Sequence, residues 1–125
     1  MCCAAALANI AFHIEERLAE QAAAKGAALM GRLRELQEHQ PLIGDVRGRG
    51  LMIGVELVTD RRTKAYGTAA AAFVRQYCLE HNVLIGVGGN FGSVLRIQPP
   101  LVIKEAQLDV VLATVAAGLE AHAAM

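Results

Sequence analysis

The chain has 125 residues, of which 54% are hydrophobic and only 4% aromatic, and its twelve basic and twelve acidic side chains cancel. This length is typical of one domain with an aliphatic core, while the balanced charge excludes a basic nucleic-acid surface and no apolar run approaches a membrane span. The three cysteines lack a CxxC spacing, which is typical of reduced thiols in a cytoplasmic protein.

The N-terminal third of the chain is predicted to be helical. Residues 3–16 are helix-prone throughout, and their apolar positions recur on one stripe. That stripe consists of Leu7, Ile10 and Ile14. A second helix is predicted over residues 18–38. Gly26 and Gly31 each cost this helix about 1 kcal/mol relative to alanine, so we expect a close helix contact at both positions.

A strand is predicted over residues 51–58, where apolar side chains alternate with others. The set predicted to face the core is Leu51, Ile53, Val55 and Leu57. Gly48 and Gly50 precede the strand, where a bend or bulge requires backbone freedom. Gly54 indicates that a neighbour packs closely over the strand, and Glu56, on the non-aliphatic face, favours a salt bridge or an interface over acid catalysis.

The second half of the chain is predicted to contain two helices and two short strands. They are a helix over 68–81 with Thr68 as N-cap, strands over 83–85 and 94–98, and a helix over 104–123. Residues 88–92 form a turn between the strands, which favours antiparallel pairing. We therefore expect an α+β two-layer sandwich: a small, mainly antiparallel sheet of three or four strands, the fourth at Val46–Arg47, covered on one face by helices.

Arg96 is the first candidate for a binding residue. It shares one face of its predicted strand with Val94 and Gln98, and two prolines fix the strand end. A guanidinium on a rigid strand suits bidentate binding of a carboxylate. Spacing alone, however, favours an ordinary exposed or salt-bridged arginine.

Other candidate residues have simpler interpretations. Arg47 and Arg49 flank Gly48, either as a solvated pair at a bulge or as part of a domain interface. No histidine or cysteine spacing matches a zinc site, so no metal is expected. Cys78 lies on the apolar stripe of its helix and is interpreted as a core residue. The glycines of 88–92 lack the helix and lysine of a phosphate-binding loop.

Two segments resemble the small C-terminal domain of class III pyridoxal-phosphate aminotransferases of the ornithine, GABA and alanine–glyoxylate type. Residues 46–57, VRGRGLMIGVEL, resemble the signature VRGxGLMxGxEL, and residues 94–101, VLRIQPPL, resemble NVLRxxPPL. Ser93 stands where many members have asparagine. Residues 3–8, CAAALA, are similar to the helix that links the two domains of such enzymes, so the resemblance covers essentially the whole chain.

The resemblance implies the small-domain fold of fold-type I enzymes. Residues 1–17 would be the helix linking it to a large domain absent from this chain, and residues 18–125 the small domain. Arg96 would bind the carboxylate of the substrate, and Arg47 and Arg49 would lie near the domain interface. Pyridoxal phosphate would be held by a lysine of the large domain. That position matches none of Lys25, Lys64 and Lys104, so no catalytic residue and no bound cofactor are expected in this chain alone.

The intact enzyme would therefore be a cytoplasmic, homo-oligomeric transaminase that moves an amino group from an amino acid to a keto acid. The 125-residue chain alone would be inactive. Two alternatives are a free-standing module that binds small carboxylates through Arg96 and a dimerisation module. Because a domain built to pack against a larger one leaves that surface uncovered when alone, we expect an exposed apolar patch, with self-association or exchange of residues 3–16.

Overall fold

The computed structural model describes residues 1–125 as four helices and five strands. The elements are α1 (Cys2–Glu15), α2 (Leu18–His39), β1 (Ile43–Arg49), β2 (Met52–Asp60), β3 (Ala65–Tyr66), α3 (Thr68–Glu80), β4 (Gly86–Gly88), β5 (Val94–Ile97) and α4 (Glu105–Ala123). The predicted α+β class is confirmed. None of the helices combines the length and the apolar character needed to cross a bilayer.

The sheet has the strand order β1-β2-β5-β4, and every neighbouring pair is antiparallel. The two-residue β3 pairs with the far end of β2. The predicted fourth strand at Val46–Arg47 is confirmed as part of β1. It turns into β2 through the two residues Gly50 and Leu51, where Gly50 has a φ of +55°, a left-handed conformation that favours glycine.

Helices α2 and α3 pack against one face of the sheet and α4 packs against both of them, and together they enclose a single cluster of mostly aliphatic buried side chains. The predicted core face of β2 is confirmed, because Leu51, Ile53, Val55 and Leu57 are all buried. Full burial of one such side chain contributes about 1.5–3 kcal/mol to folding. Cys78 is also buried in this cluster, as predicted.

Val58 departs from the alternation of β2. It belongs by parity to the open face, yet its side chain is only 2% exposed. A bulge between Ile43 and Asp45 shifts the register of β1, and Gly44 lies against the Val58 side chain. The N–H of Val58 also donates to the carbonyl oxygen of Leu42. The irregular start of β1 therefore covers the end of β2.

The predicted strand over 83–85 is wrong. Those residues form no sheet pairing, and β4 begins at Gly86, opposite Arg96. Val83 and Ile85 are buried, so the apolar run belongs to the core without joining the ladder. The shift has a consequence for the site, since Gly88 lies in the strand and not in the turn.

Two smaller predictions are also wrong. Thr68 does not cap α3, because the N-cap residue is Gly67 and the Thr68 hydroxyl donates to the carbonyl oxygen of Phe91 at 2.7 Å. Gly31 makes no close contact, since the space beside it is open. The expectation for the other helical glycine, Gly26, is confirmed: it packs against the backbone of Gly50.

Helix α1 is exposed along its whole length. Its predicted apolar stripe faces solvent, and Phe12 is exposed on the opposite side of the helix. Arg17, with a φ of +50°, separates α1 from α2 and sets the angle between them. The expected apolar patch is therefore present, while its role in linking domains or in self-association stays a prediction.

Candidate functional site

The face of the sheet opposite the helices carries the candidate residues. In an antiparallel sheet, residues directly opposite one another project from the same face. One row across four strands contains Arg47, Gly54, Arg96 and Gly86. The next row contains Asp45, Glu56, Val94 and Gly88. The pairing therefore brings Arg47 and Arg96, far apart in sequence, onto one surface with the bare backbone of Gly54 between them.

Arg96 is exposed and forms no ion pair. Its Nη2 donates a hydrogen bond to Oε1 of Gln98 at 2.9 Å. Because β5 is paired on both sides, with β2 and β4, the backbone that carries this side chain is held on both edges. The structure thus presents a guanidinium on a fixed backbone, with no carboxylate of this chain bound to it.

Arg47 has a different environment. Its Nη1 donates to Oδ2 of Asp45 at 2.7 Å and to Oε2 of Glu56 at 2.6 Å. The hydrogen bonds that Arg47 donates to Asp45 and to Glu56 raise its pKa above its already high ordinary value. The predicted salt-bridge role of Glu56 is confirmed. Because two carboxylates of its own chain already pair with Arg47, its charge is satisfied without a partner domain.

Arg49 lies opposite Met52 at the hairpin end of the same face. It is exposed and has no ion-pair partner. The two arginines of the VRGRG segment are therefore not equivalent. Of the two, Arg49 is the one whose charge is available to another molecule, and an interface role for either stays a prediction.

A cleft of about 1090 Å³ borders Arg96. It lies between the end of β5, residues 82–86 and the first half of α4, and its lining is half hydrophobic. The only charged residues in the lining are Arg75 and Arg96, and Asn82, Gln98 and Gln107 add side-chain amides. A cleft with two cations, amides and no carboxylate suits an anionic group attached to an apolar body.

Sequence reasoning missed Arg75 and Gln107. Arg75 lies on the exposed side of α3, where an arginine carries no signal of its own. Gln107 had a weak sequence signal, because a glutamine three residues into a helix is typical of a capping box. In the structure its side chain accepts a hydrogen bond from the Lys104 N–H at 3.0 Å and so caps the start of α4.

The three lysines lie in different parts of the fold. Lys25 on α2 donates to the carbonyl oxygen of Ile103 at 2.8 Å. Lys64 lies in the turn between β2 and β3, and Lys104 precedes α4. None of the three lies on the open face of the sheet or in the lining of the cleft.

Comparisons with known proteins agree with the resemblance of the two segments. Residues 1–119 match the family model of aminotransferase class III. The chain is 48% identical over 95 residues to the mitochondrial alanine–glyoxylate aminotransferase 2 homolog 2 of Arabidopsis thaliana, covering 76% of this chain and 20% of that protein. It is also 48% identical over 107 residues to the leucine/methionine racemase of Thermococcus litoralis, covering 84% of this chain and 23% of that protein.

The fold is similar to that of solved enzymes of the same kind. A Bacillus anthracis aminotransferase superposes with a TM-score of 0.88 at 35% identity, over 94% of this chain and 27% of that one. The chain thus spans about a quarter of the length of the proteins it matches. The family model covers nearly all of it, and both the sequence and the fold agree. The chain therefore belongs to the class III aminotransferases.

Proposed function

We propose that this chain forms the carboxylate-binding small domain of a pyridoxal-phosphate-dependent transaminase, with Arg96 holding the carboxylate of the amino-acid or keto-acid substrate. The observation that carries the proposal is the unpaired guanidinium of Arg96 on the open face of the sheet, beside a cleft without acidic residues. Arg47, its neighbour in the same row, is neutralised by two carboxylates and is not a candidate.

Arg96 would act by binding and orienting the substrate. A guanidinium offers parallel N–H donors that match the two oxygens of a carboxylate, and each charge-assisted hydrogen bond is worth about 1.5–3 kcal/mol. The bond to Gln98 uses one N–H of Nη2 and leaves the other donors free. Pyridoxal phosphate supplies the electron sink of the reaction when it is bound.

The proposed reaction of the whole protein is transfer of an amino group from an α- or ω-amino acid to a keto acid. The Arabidopsis relative and the Bacillus structure, both named as aminotransferases, support it. The relative named as a racemase indicates that the same small domain accompanies other outcomes at the amino carbon. Cytoplasmic localisation and a homo-oligomeric assembly are part of the proposal, as is the inactivity of this chain alone.

Titration of the 125-residue chain with 2-oxoglutarate, followed by the NMR signals of the arginine Nε–H groups, tests the role of Arg96. We expect a saturable shift of the Arg96 signal in the wild type and no binding in Arg96→Ala. Arg49→Ala is the matched control, because it removes another exposed, unpaired guanidinium from the same face and should leave binding unchanged. Equal binding by the Arg96→Ala chain would refute the proposal.

The second candidate function, an assembly module, is favoured by α1. An exposed apolar stripe on a helix is typical of an interaction surface, and a second copy of the chain offers an identical stripe. This candidate predicts association that depends on concentration and is unaffected by carboxylates, whereas the first predicts a response to carboxylates that needs Arg96.

A further inference from the structure

The aliphatic part of the Arg96 side chain lies along the edge strand β4. A Cβ placed on Gly86, directly opposite Arg96, would lie 3.5 Å from the Arg96 Cβ, an ordinary contact. A Cβ placed on Gly88 would lie 2.7 Å from the Arg96 Cδ and 3.7 Å from its Nε. The side chain therefore starts beside Gly86 and then runs over Gly88 before it reaches the guanidinium.

On its other side Arg96 has a glycine that it does not touch. A Cβ on Gly54 of β2 would meet the Val94 side chain at 3.2 Å, with no atom of Arg96 within 4 Å. The side chain thus leans away from the centre of the sheet and onto β4. Only the missing side chain of Gly88 leaves room for that direction.

We propose that Gly88 is a positioning residue for Arg96: its bare backbone sets the path of the arginine side chain and hence the direction of the guanidinium. The inference rests on the proposed carboxylate role of Arg96 for its functional meaning. Gln98 completes the arrangement by accepting a hydrogen bond from Nη2 at the far end of the side chain. A methyl group at position 88 displaces Cδ, and the donors then lose the direction in which the hydrogen bond to Gln98 holds them.

The chain offers a matched pair of variants, Gly88→Ala and Gly86→Ala. Both glycines lie in β4, project from the same face and lie opposite β5, and neither has a positive φ, so alanine fits the backbone at both positions. Only the methyl group at position 88 collides with Arg96, and the atom that it meets belongs to a flexible, exposed side chain. We therefore expect both variants to fold and to melt at similar temperatures.

Two measurements test how each variant changes the path of the Arg96 side chain and its binding of a carboxylate. Without ligand, nuclear Overhauser contacts between the Arg96 Hδ and the Hα of residue 88 should be present in the wild type and in Gly86→Ala and lost in Gly88→Ala. With 2-oxoglutarate, the Kd should rise about tenfold or more in Gly88→Ala, as expected for the misalignment of one charge-assisted hydrogen bond. The rise should be smaller in Gly86→Ala, whose methyl group borders the cleft but makes only an ordinary contact with Arg96.

The outcomes separate this inference from the proposed function. Wild-type affinity in Gly88→Ala, or equal losses in both variants, would overturn the positioning role while Arg96 kept its own. If the wild type and Arg96→Ala both ignored 2-oxoglutarate, the carboxylate role would fail. The ligand-free contacts would then still decide whether Gly88 sets the path of the side chain.

Discussion

Gly26 of α2 lies against the carbonyl group of Gly50, which forms the turn between β1 and β2. A Cβ at position 26 would fall 2.0 Å from that oxygen and 2.2 Å from the carbonyl carbon. No side-chain movement relieves such a collision, because both partners are backbone. At this contact α2, the longest helix, packs directly against the hairpin of β1 and β2.

Gly26→Ala should destabilise the domain strongly. Overpacking of this kind costs about 1–3 kcal/mol where side chains can yield, and we expect a value at or above the top of that range. Gly31→Ala, in the same helix with nothing within 4 Å, should instead stabilise by about 0.5–1 kcal/mol through helix propensity. Urea unfolding of both variants measures the difference, and equal effects would contradict the described contact.

Arg47→Met should destabilise the open face of the sheet. It leaves Asp45 and Glu56, which are cross-strand partners, with like charges and no cation between them. The side chains are partly solvated, so we expect a loss of about 1 kcal/mol, smaller at high salt. Adding Glu56→Gln to the variant removes the repulsion and should recover part of the loss. A double variant less stable than Arg47→Met would argue against the three-residue cluster.

The stability of the domain should fall in alkali because of Cys78. Burial raises the pKa of Cys78 to about 11 from an ordinary value of 9.0. The unfolded state therefore loses the thiol proton first. The free energy that the protonated thiol contributes to folding is fully present below pH 9.0 and is lost as the pH rises to about 11. By about pH 10 the free energy of unfolding should drop by about 1 kcal/mol.

Cys78→Ala is the control for that prediction, since it removes the titrating group and leaves every other ionisation in place. The drop between neutral and alkaline pH should be smaller in the variant by the contribution of the thiol. Cys2 and Cys3 are exposed and should react with a thiol reagent in the folded chain, whereas Cys78 should not. Rapid labelling of Cys78 under native conditions would contradict its burial.

Self-association of the chain should depend on α1. Ile10→Ser removes an apolar side chain that is 55% exposed, and Val102→Ser is a matched control, because Val102 is 56% exposed but lies in the loop before α4. In sedimentation analysis the wild type and Val102→Ser should associate as concentration rises, and Ile10→Ser should associate less. Equal behaviour of all three chains would exclude the α1 stripe as the contact.

The local patterns of this sequence predicted the layers of the fold. The period-two alternation of residues 51–58 identified the core face, because one side of that strand is buried by helices and the other is not. The alternation predicts an exposed Val58, but this residue is buried because of the bulge in β1 and not because of its own position in the strand. Contacts between segments distant in sequence leave little trace in either segment.

The same limit applied to the candidate site. Strand parity placed Arg96 on the correct face, but its neighbour Gly88 was assigned to a turn because the apolar run of 83–85 imitates a strand. Gly26 and Gly31 are indistinguishable by composition, and only one of them meets a distant backbone. The ion pairs of Arg47 likewise required the register of β1 with β2, which no single segment determines.

Strand β5 lies inside the sheet, between β2 and β4. The backbone that carries Arg96 therefore moves freely only when the whole domain unfolds. Because β5 is hydrogen-bonded to a strand on each side, we expect the amide protons of its middle residues to exchange with solvent only when the whole domain unfolds. In an edge strand such as β1 or β4, local opening would instead move the backbone that carries such a side chain. In β5 the backbone that carries Arg96 keeps its position for as long as the domain stays folded.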